Sequence, residues 1–248
     1  MSQESTHFGY RTVSRGEKNR LVRGVFDSVA GRYDLMNDLM SGGLHRLWKR
    51  EFVATSGIRP GATVLDLAGG TGDIARLVAR RVGAAGKVYL ADINGHMVEV
   101  GRRRLDNRGL AGRVEYLIAD AEHLPFPDNR FDAVTIAFGL RNVTDPPRAL
   151  GEMQRVLRPG GRVLILEFSR VHDGLFSRLY DLHSFRILPW LGARVAGDAA
   201  SYRYLAESIR RHPAQPELAA MLGTAGFVET GWRNLSAGIV AIHRGCKP

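Results

Sequence analysis

LDLAGGTGD, from Leu65 to Asp73, connects a strand-like run to a helical one. Its three glycines, Gly69, Gly70 and Gly72, allow a tight turn and a close approach of a ligand to the backbone. The strand-like run before it, ATVLDL at 62–67, carries an acid at Asp66. Turns of this kind bind nucleotides in several folds, but this one lacks the Lys-Ser/Thr pair of a P-loop. The stretch predicts a βα unit with a ligand at its glycine turn.

Strand-like and helical runs alternate from 62 to 167, which predicts parallel βαβ units. After the first strand, further strands are predicted at KVYLAD, RVEYLIA, FDAVTIAF and GRVLILEF (87–92, 113–119, 131–138 and 161–168). Helices are predicted at about 72–83, 95–107 and 146–157. Two more strand-like runs, FVETGWRN and SAGIVAIHR, follow near the end. The fold class is therefore α/β: a doubly wound, Rossmann-like, mostly parallel sheet of seven strands.

A single domain covering 1–248 is predicted, in four parts. They are an N-terminal helical cap (1–60, with the clearest helices at 17–30 and 44–57), a cofactor-binding core (61–168), a helical lid (169–225) inserted between strands five and six, and a C-terminal hairpin (226–248). Within the lid, 173–212 combines apolar and aromatic residues with arginines. This composition suits a segment that lies on an anionic membrane. The alternatives are a buried helix pair or a dimer contact.

The composition is that of a globular protein, with a strong positive charge. The formal net charge is +10, and 31 of the 35 basic residues are arginine. The charge indicates acidic partners, either nucleic acid or an anionic membrane, but an arginine bias can also reflect genome base composition. The start MSQESTHFGY predicts no signal peptide, and the apolar runs are too short to span a membrane. The lone Cys246 excludes an internal disulfide and suits a reducing cytoplasm.

Acids are predicted at the ends of two further strands. Asp92 lies twenty residues after Gly72, where an acid commonly accepts both ribose hydroxyls of an adenosine. Asp120 ends the third strand, before AEHLPF. This order of motifs resembles that of class I S-adenosylmethionine-dependent methyltransferases, except that Ala68 replaces the first glycine of the usual turn. A fold that binds NAD and a structural turn without a ligand are the alternatives.

The resemblance to one methyltransferase family is closer still and extends from Thr6 to Lys247. The motifs THFGYRTV, YDLMNDLMSGGLHRLWKR, LDLAGGTGD, LPFPDNRFD, AFGLRNVTD, RVLRPGG and SYRYLAESIRRHP stand in order. Together they look like the ubiquinone/menaquinone biosynthesis C-methyltransferase family. That resemblance implies S-adenosyl-L-methionine as cofactor and a polyprenylated quinol as substrate. The ring methylated would be that of demethylmenaquinol, of 2-methoxy-6-polyprenyl-1,4-benzoquinol, or of both.

The resemblance also implies which residues bind the cofactor. They are Asp66, Gly70, Thr71, Gly72, Asp92, Ile93, Asp120, Ala121 and Ala137. The last of these stands where the family often has a serine, so one hydroxyl contact is expected to be missing.

Four polar residues spaced four apart, Tyr33, Asn37, Ser41 and His45, are predicted to form the wall of the substrate pocket, together with Tyr202. The alternative is that the four belong to a capped and hydrogen-bonded surface helix pair. No metal is predicted, because no Cys/His/carboxylate cluster accompanies His45.

The FGLRN motif is expected to carry the chemistry. Arg141 is predicted to stabilise a phenolate or polarise a water, and Asn142 to orient the ring. Asp120 or His45 is predicted to accept the proton. The alternative for Arg141 is a structural pair with a strand-end acid.

Two other classes of function are weighed against methylation of a quinol. A nucleic-acid methyltransferase would use the positive charge, and 144–148 contains an Asp-Pro-Pro sequence. However, Asp145 and Pro146 are better explained as the cap and first residue of a helix, so no nucleic-acid partner is predicted. The second rival is a non-catalytic cofactor-binding subunit. The expected location is cytoplasmic, at the inner face of the membrane, with quinone-biosynthesis enzymes and a homodimer as expected partners.

Overall fold

The computed structural model describes residues 5–29, 37–38, 41–169 and 199–248. The chain begins with a hairpin of two short strands, β1 (Ser5–Phe8) and β2 (Arg11–Ser14), followed by helices α1 (Arg15–Val29) and α2 (His45–Ala54). The next elements are β3 (Thr63–Leu67), α3 (Asp73–Val82), β4 (Lys87–Asp92), α4 (Gly95–Asp106), β5 (Val114–Ile118) and β6 (Phe131–Ala137). A 3₁₀ turn (Leu140–Asn142), α5 (Pro146–Val156) and β7 (Leu157–Phe168) then complete the βα units.

In the described residues from 199 onward the α-helices and strands are α6 (Ala199–Arg211), α7 (Gln215–Thr224), β8 (Val228–Leu235) and β9 (Val240–Cys246). The seven strands from β3 onward form one sheet in the order β5-β4-β3-β6-β7-β9-β8. The pairs along β5-β4-β3-β6-β7 are parallel, and β9 is antiparallel to both β7 and β8. The predicted seven-stranded, doubly wound α/β fold is thereby confirmed.

Apolar side chains fill both faces of the sheet, as parallel strands with crossover helices require. One layer packs α1 to α4 and α6 against the sheet and includes Phe52, Val78 and Leu105. The other packs α5 and α7 against it and includes Leu150 and Leu218. Both helix layers are therefore anchored, which holds the loops at the carboxyl edge of the sheet in place.

The N-terminal region differs from the prediction of an all-helical segment. The β1–β2 hairpin occupies 5–14, with Gly9 at a φ of +56° in its turn. Its strands are four residues long and largely exposed, so no hydrophobic run in the sequence indicates them. The predicted membrane-facing segment at 173–212 lies outside the described residues except for its end, where α6 lies. No described helix has the length and apolar character needed to cross a membrane.

Candidate active site

A cleft opens at the carboxyl ends of β3, β4, β5 and β6. The chain runs from β3 outward through β4 to β5 and then crosses back to β6 on the other side of β3, and α/β sheets bind ligands at such switch points. The cleft contains about 820 Å³ of empty space, its open mouth included. Helix α1 covers one side with Asn19, Val22, Arg23 and Phe26. Strand-end residues and the glycine turn form the other side.

The glycine turn brings backbone to the cleft as the sequence predicts. Gly70 lines the cleft with a φ of +52°. Gly72 precedes α3 with a φ of +84°, and a Cβ there would stand 2.8 Å from Leu105 Cδ1. A side chain at Gly72 would therefore both strain the backbone and push α4 away. Ala68, at the position where the family usually has glycine, takes a φ of +48°.

Asp92 lines the cleft with a carboxylate that backbone amides hold in place. The Gly70 N–H donates to Oδ2 at 3.0 Å, and the Asn94 N–H donates to Oδ1 at 2.9 Å. Burial raises the pKa of Asp92 to about 6, although these backbone hydrogen bonds lower it. Each oxygen keeps a further lone pair for a ligand hydroxyl. The geometry is that of an acceptor for a ribose diol.

The third strand end supplies Asp120 and Ala121, which line the cleft together with Ile93. Asp120 Oδ1 accepts the Glu122 N–H at 2.9 Å. Glu122 is buried, and its Oε1 accepts the backbone N–H groups of Thr144 and Asp145 at 2.9 and 2.8 Å. Sequence reasoning missed Glu122, which joins the loops after β5 and β6.

Four of the predicted cofactor-binding residues do not line the cleft: Asp66, Thr71, Gly72 and Ala137. Asp66 is buried beneath the turn, where the Thr135 hydroxyl donates to Oδ1 at 2.8 Å. Burial raises the pKa of Asp66 to about 7. Next to Ala137, Phe138 and Gly139 are the residues that line the cleft at the end of β6. The end of β6 therefore lines the cleft one and two residues after Ala137, the predicted position.

Two asparagine side chains, those of Asn19 and Asn142, also line the cleft. Tyr204 donates its hydroxyl to Asn142 Oδ1 at 2.9 Å, and Thr144 donates its hydroxyl to Asn19 Oδ1 at 2.6 Å. With both carbonyl oxygens accepting hydroxyls, the amide groups are left to donate. Tyr204 is itself held by stacking on Phe8, with ring centroids 4.0 Å apart. The predicted Asn142 is in place, whereas Asn19 and Tyr204 were not predicted.

Arg141 does not line the cleft, and its contact with a phenolate stays a prediction. Its Nη1 donates to Glu167 Oε1 at 2.7 Å and to the Phe138 carbonyl at 2.6 Å. The side chain of Arg141 is 5% exposed and that of Glu167 is 1% exposed. The pair with a strand-end acid, which was the alternative interpretation, is what the structure shows. Arg141 thus secures the turn that carries Asn142.

The predicted pocket wall before α2 is described only in part, and none of its described residues lines the cleft. Ser41 donates its hydroxyl to the Asn37 carbonyl at 2.7 Å and accepts the His45 N–H at 3.2 Å. His45 is buried, and its Nε2 is hydrogen bonded to Asp38 Oδ1 at 2.8 Å. Burial lowers the pKa of His45, with Asp38 opposing the effect. His45 lines a different pocket from the cleft. Tyr33 lies outside the described residues.

Tyr202 is the remaining predicted substrate residue. It is 2% exposed, belongs to the apolar layer below the cleft and does not line it. Its neighbour Tyr204, two residues on in SYRY, is the tyrosine that hydrogen bonds to a residue of the cleft, Asn142.

The predicted cap of α5 is confirmed, because Asp145 accepts the Arg148 N–H and Pro146 begins the helix. Within the described ranges, no group of three or more His, Cys, Asp or Glu residues could hold a metal.

The fold and the cleft define an S-adenosylmethionine-dependent methyltransferase of class I. The glycine turn, the acid Asp92 and the strand order together distinguish it from a P-loop protein. The chain belongs to the ubiE/COQ5 methyltransferase family, whose profile matches residues 12–247.

Relatives and solved structures agree with this assignment. The chain is 59% identical over 246 residues to the ubiquinone/menaquinone biosynthesis C-methyltransferase UbiE of Cellvibrio japonicus, covering 99% of both chains. It is 58% identical to UbiE of Escherichia coli strain K12, covering 99% of this chain and 98% of that one. A SAM dependent methyltransferase from Aquifex aeolicus superposes with a TM-score of 0.60 at 23% identity, covering 85% of this chain and 95% of that one. The [4+2]-cyclase SpnF superposes with 0.62 at 21%, covering 93% and 96%. At these identities the structures support the fold alone.

Proposed function

We propose that the protein transfers the methyl group of S-adenosylmethionine to a ring carbon of a polyprenylated quinol, in ubiquinone or menaquinone biosynthesis or in both. The observation that supports the proposal is the cleft, whose lining combines the Asp92 carboxylate, fixed by backbone amides, with the side-chain amides of Asn19 and Asn142. Relatives that are 56–59% identical over nearly the whole chain bear the name of this activity. Demethylmenaquinol and 2-methoxy-6-polyprenyl-1,4-benzoquinol are the proposed substrates.

Asp92 and its neighbours would hold the cofactor. The carboxylate of Asp92 accepts the ribose hydroxyls, and Ile93, Asp120 and Ala121 surround the adenine. Gly70 lets the backbone approach the methionine part. The residues that lie outside the cleft act indirectly: Asp66, for example, supports the turn from below.

The chemistry needs an electron-rich carbon, because the methyl group of a sulfonium is an electrophile. A quinol ring becomes nucleophilic at carbon when one phenol loses its proton, and the quinone does not. The amide groups of Asn142 and Asn19 would donate to the substrate oxygens and stabilise that charge. Donors fixed in advance are effective because they need no reorganisation during the reaction. Of the two predicted proton acceptors, Asp120 lines the cleft and His45 does not.

Arg23 adds positive charge at the cleft. Its side chain has no hydrogen bond or ion pair within the part of the chain that the structure describes, and it belongs to the cleft lining. An unpaired guanidinium facing a cleft suits a negatively charged group of the bound cofactor or substrate. Arg23→Ala should therefore weaken ligand binding while leaving the fold intact, as titration with each ligand separately would measure.

A prenylated quinol resides in a bilayer, so the proposal includes a peripheral contact with the inner face of the cytoplasmic membrane. The positive net charge of +10 supports this contact with an anionic surface. Other quinone-biosynthesis enzymes and a second copy of the chain stay predicted partners.

The test is single-turnover methyl transfer from labelled cofactor to each of the two quinols, in reduced and oxidised form. We expect label in the reduced compounds only. No transfer to any quinol would favour the non-catalytic subunit, and transfer to nucleic acid would favour the other rival. Transfer to the oxidised quinone at a comparable rate would contradict the mechanism.

A further inference from the structure

A second pocket lies beside the glycine turn, between α2, α3 and α4, and we call it the basic pocket. Six cationic side chains line it: Arg46, Lys49, Arg50, Arg76, Arg104 and Arg108. It is separate from the cleft, but the two share the glycine turn. Gly70 lines the cleft, and Asp73, three residues later, lines the basic pocket.

Acids neutralise only part of this charge. Asp73 lines the pocket and is shared by Lys49 Nζ at 2.8 Å and Arg104 Nη2 at 3.7 Å. Asp38 binds Arg46 through both of its oxygens. Much of the positive charge of the pocket lies outside these pairs.

Three arginines supply that excess. The side chains of Arg50, Arg76 and Arg108 have no hydrogen bond or ion pair to any of the residues described in the structure, and Arg76 Nε is a buried donor without a partner among them. Burial and the nearby positive charge of Arg108 lower the pKa of Arg76. Like charges held together cost free energy in the free protein, which a bound anion would offset.

Exposed leucines lie next to these cations. Leu44 is 40% exposed and Leu47 is 57% exposed, at the beginning of α2. Leu47 and Arg50 are three residues apart and so are neighbours on the helix surface. Exposed leucines contribute nothing to the binding of a phosphate ion. A site for single-stranded nucleic acid would favour aromatic side chains, on which bases stack. Leucines beside arginines fit the boundary between headgroups and acyl chains.

We propose that the basic pocket and the two leucines form the surface that docks on anionic phospholipid. Arg50, Arg76 and Arg108 hold headgroup phosphate, and Leu44 and Leu47 enter the acyl boundary. The proposal rests on the membrane contact proposed above and identifies the surface that makes it. It also places the bilayer beside the turn that borders the cleft.

Co-sedimentation of the full-length protein with vesicles tests this surface. Vesicles of phosphatidylcholine containing phosphatidylglycerol are compared with pure phosphatidylcholine. The test variant is Arg50→Glu/Arg108→Glu. The matched control is Arg59→Glu/Arg162→Glu, an equal change of charge in a pocket at the opposite edge of the sheet.

The wild type and the control should bind the anionic vesicles, with an affinity that falls with added salt. The partition of the test variant should be lower by about thirtyfold or more, because each basic residue near the surface contributes about 1 kcal/mol. All three proteins should bind the cofactor equally, which checks their folding. Equal vesicle binding by the test variant and the control would overturn the docking surface but leave the membrane contact standing.

A fluorescent label tests the leucines directly. Leu47→Cys in a Cys246→Ser background, labelled with a polarity-sensitive dye, should shift to the blue on anionic vesicles. An unshifted spectrum on protein that sediments would place the contact elsewhere. If the wild type sediments with no vesicle, the membrane contact itself fails, while methyl transfer to dispersed quinol can still succeed. Binding of inorganic phosphate in the basic pocket without vesicle binding would assign it to a soluble anion and overturn the proposal.

Discussion

Replacement of Arg141 should lower the stability of the fold and, as a consequence, lower kcat. In Arg141→Met, the buried Glu167 loses its ion pair and, among the described residues, keeps the backbone N–H groups of Phe168 at 2.9 Å and of residue 141 at 3.4 Å. Breaking a buried pair by removing one partner costs about 3–5 kcal/mol. The Phe138 carbonyl, which accepts from the same guanidinium, loses its side-chain donor as well. Because Phe138 and Asn142 both line the cleft, we expect kcat to fall about tenfold as they shift.

A double-mutant cycle separates this positioning role from a direct role in catalysis. Urea unfolding and single-turnover rates are measured for Arg141→Met, for Glu167→Gln and for the double variant. A neutral partner removes the stranded charge, so the double variant should regain at least about 1 kcal/mol relative to the sum of the single changes. Part of the lost rate should return with it. The reasoning is refuted if Arg141→Met is as stable as the wild type and the double variant is no faster, since a direct contact with the phenolate would give that result.

Three further predictions concern the ligand and the pH dependence of stability. Asp92→Ala should weaken cofactor binding by about ten- to a hundredfold, because charge-assisted bonds to the ribose are lost; calorimetry with unchanged affinity would exclude the assignment. Asn142→Asp keeps the acceptor for Tyr204 but replaces the amide donor with a negative charge, so kcat should fall by about a hundredfold with cofactor affinity retained. Burial lowers the pKa of His243 to about 4 from 6.5, so the unfolded chain binds more protons between these values. The free energy of unfolding should therefore fall by about 3 kcal/mol as the pH drops from about 6.5 to about 4. His243→Gln should reduce this slope, and an unchanged difference between pH 4.5 and pH 7.5 would contradict it.

The fold could be predicted from the sequence because its signals are local. Buried parallel strands are continuous apolar runs, and the helices between them begin at signals such as Asp145-Pro146. The β1–β2 hairpin has no such signal, since its strands are short and largely exposed. Its position depends on distant contacts, including the stacking of Phe8 on Tyr204.

The residues of the site also divide into those with a local sequence signal and those that depend on distant contacts. Asp92 and Asp120 were predicted at the ends of strands, and the carboxyl ends of neighbouring parallel strands share one edge of the sheet. Asn19 and Tyr204 were missed because their partners, at positions 144 and 142, are 125 and 62 residues away in the chain. Helix α1 and helix α6 bring these partners together. Patterns of spacing contain no information about such contacts.

The four-residue spacing of Asn37, Ser41 and His45 shows how a real pattern can have a different cause. Residues four apart share a helix face, which suggested a wall of polar side chains. Four residues is also the span of a helical hydrogen bond, so a serine at that spacing can bond the backbone on either side. Ser41 does both, toward the Asn37 carbonyl and from the His45 N–H. The Ser41 hydroxyl therefore has local partners and needs no ligand. The side chain of Asp92, by contrast, has amide donors that fix its orientation, and its remaining lone pairs lie in a cleft. Unfilled acceptor capacity at the edge of a sheet is therefore the better indicator of a binding residue than polar spacing along a helix.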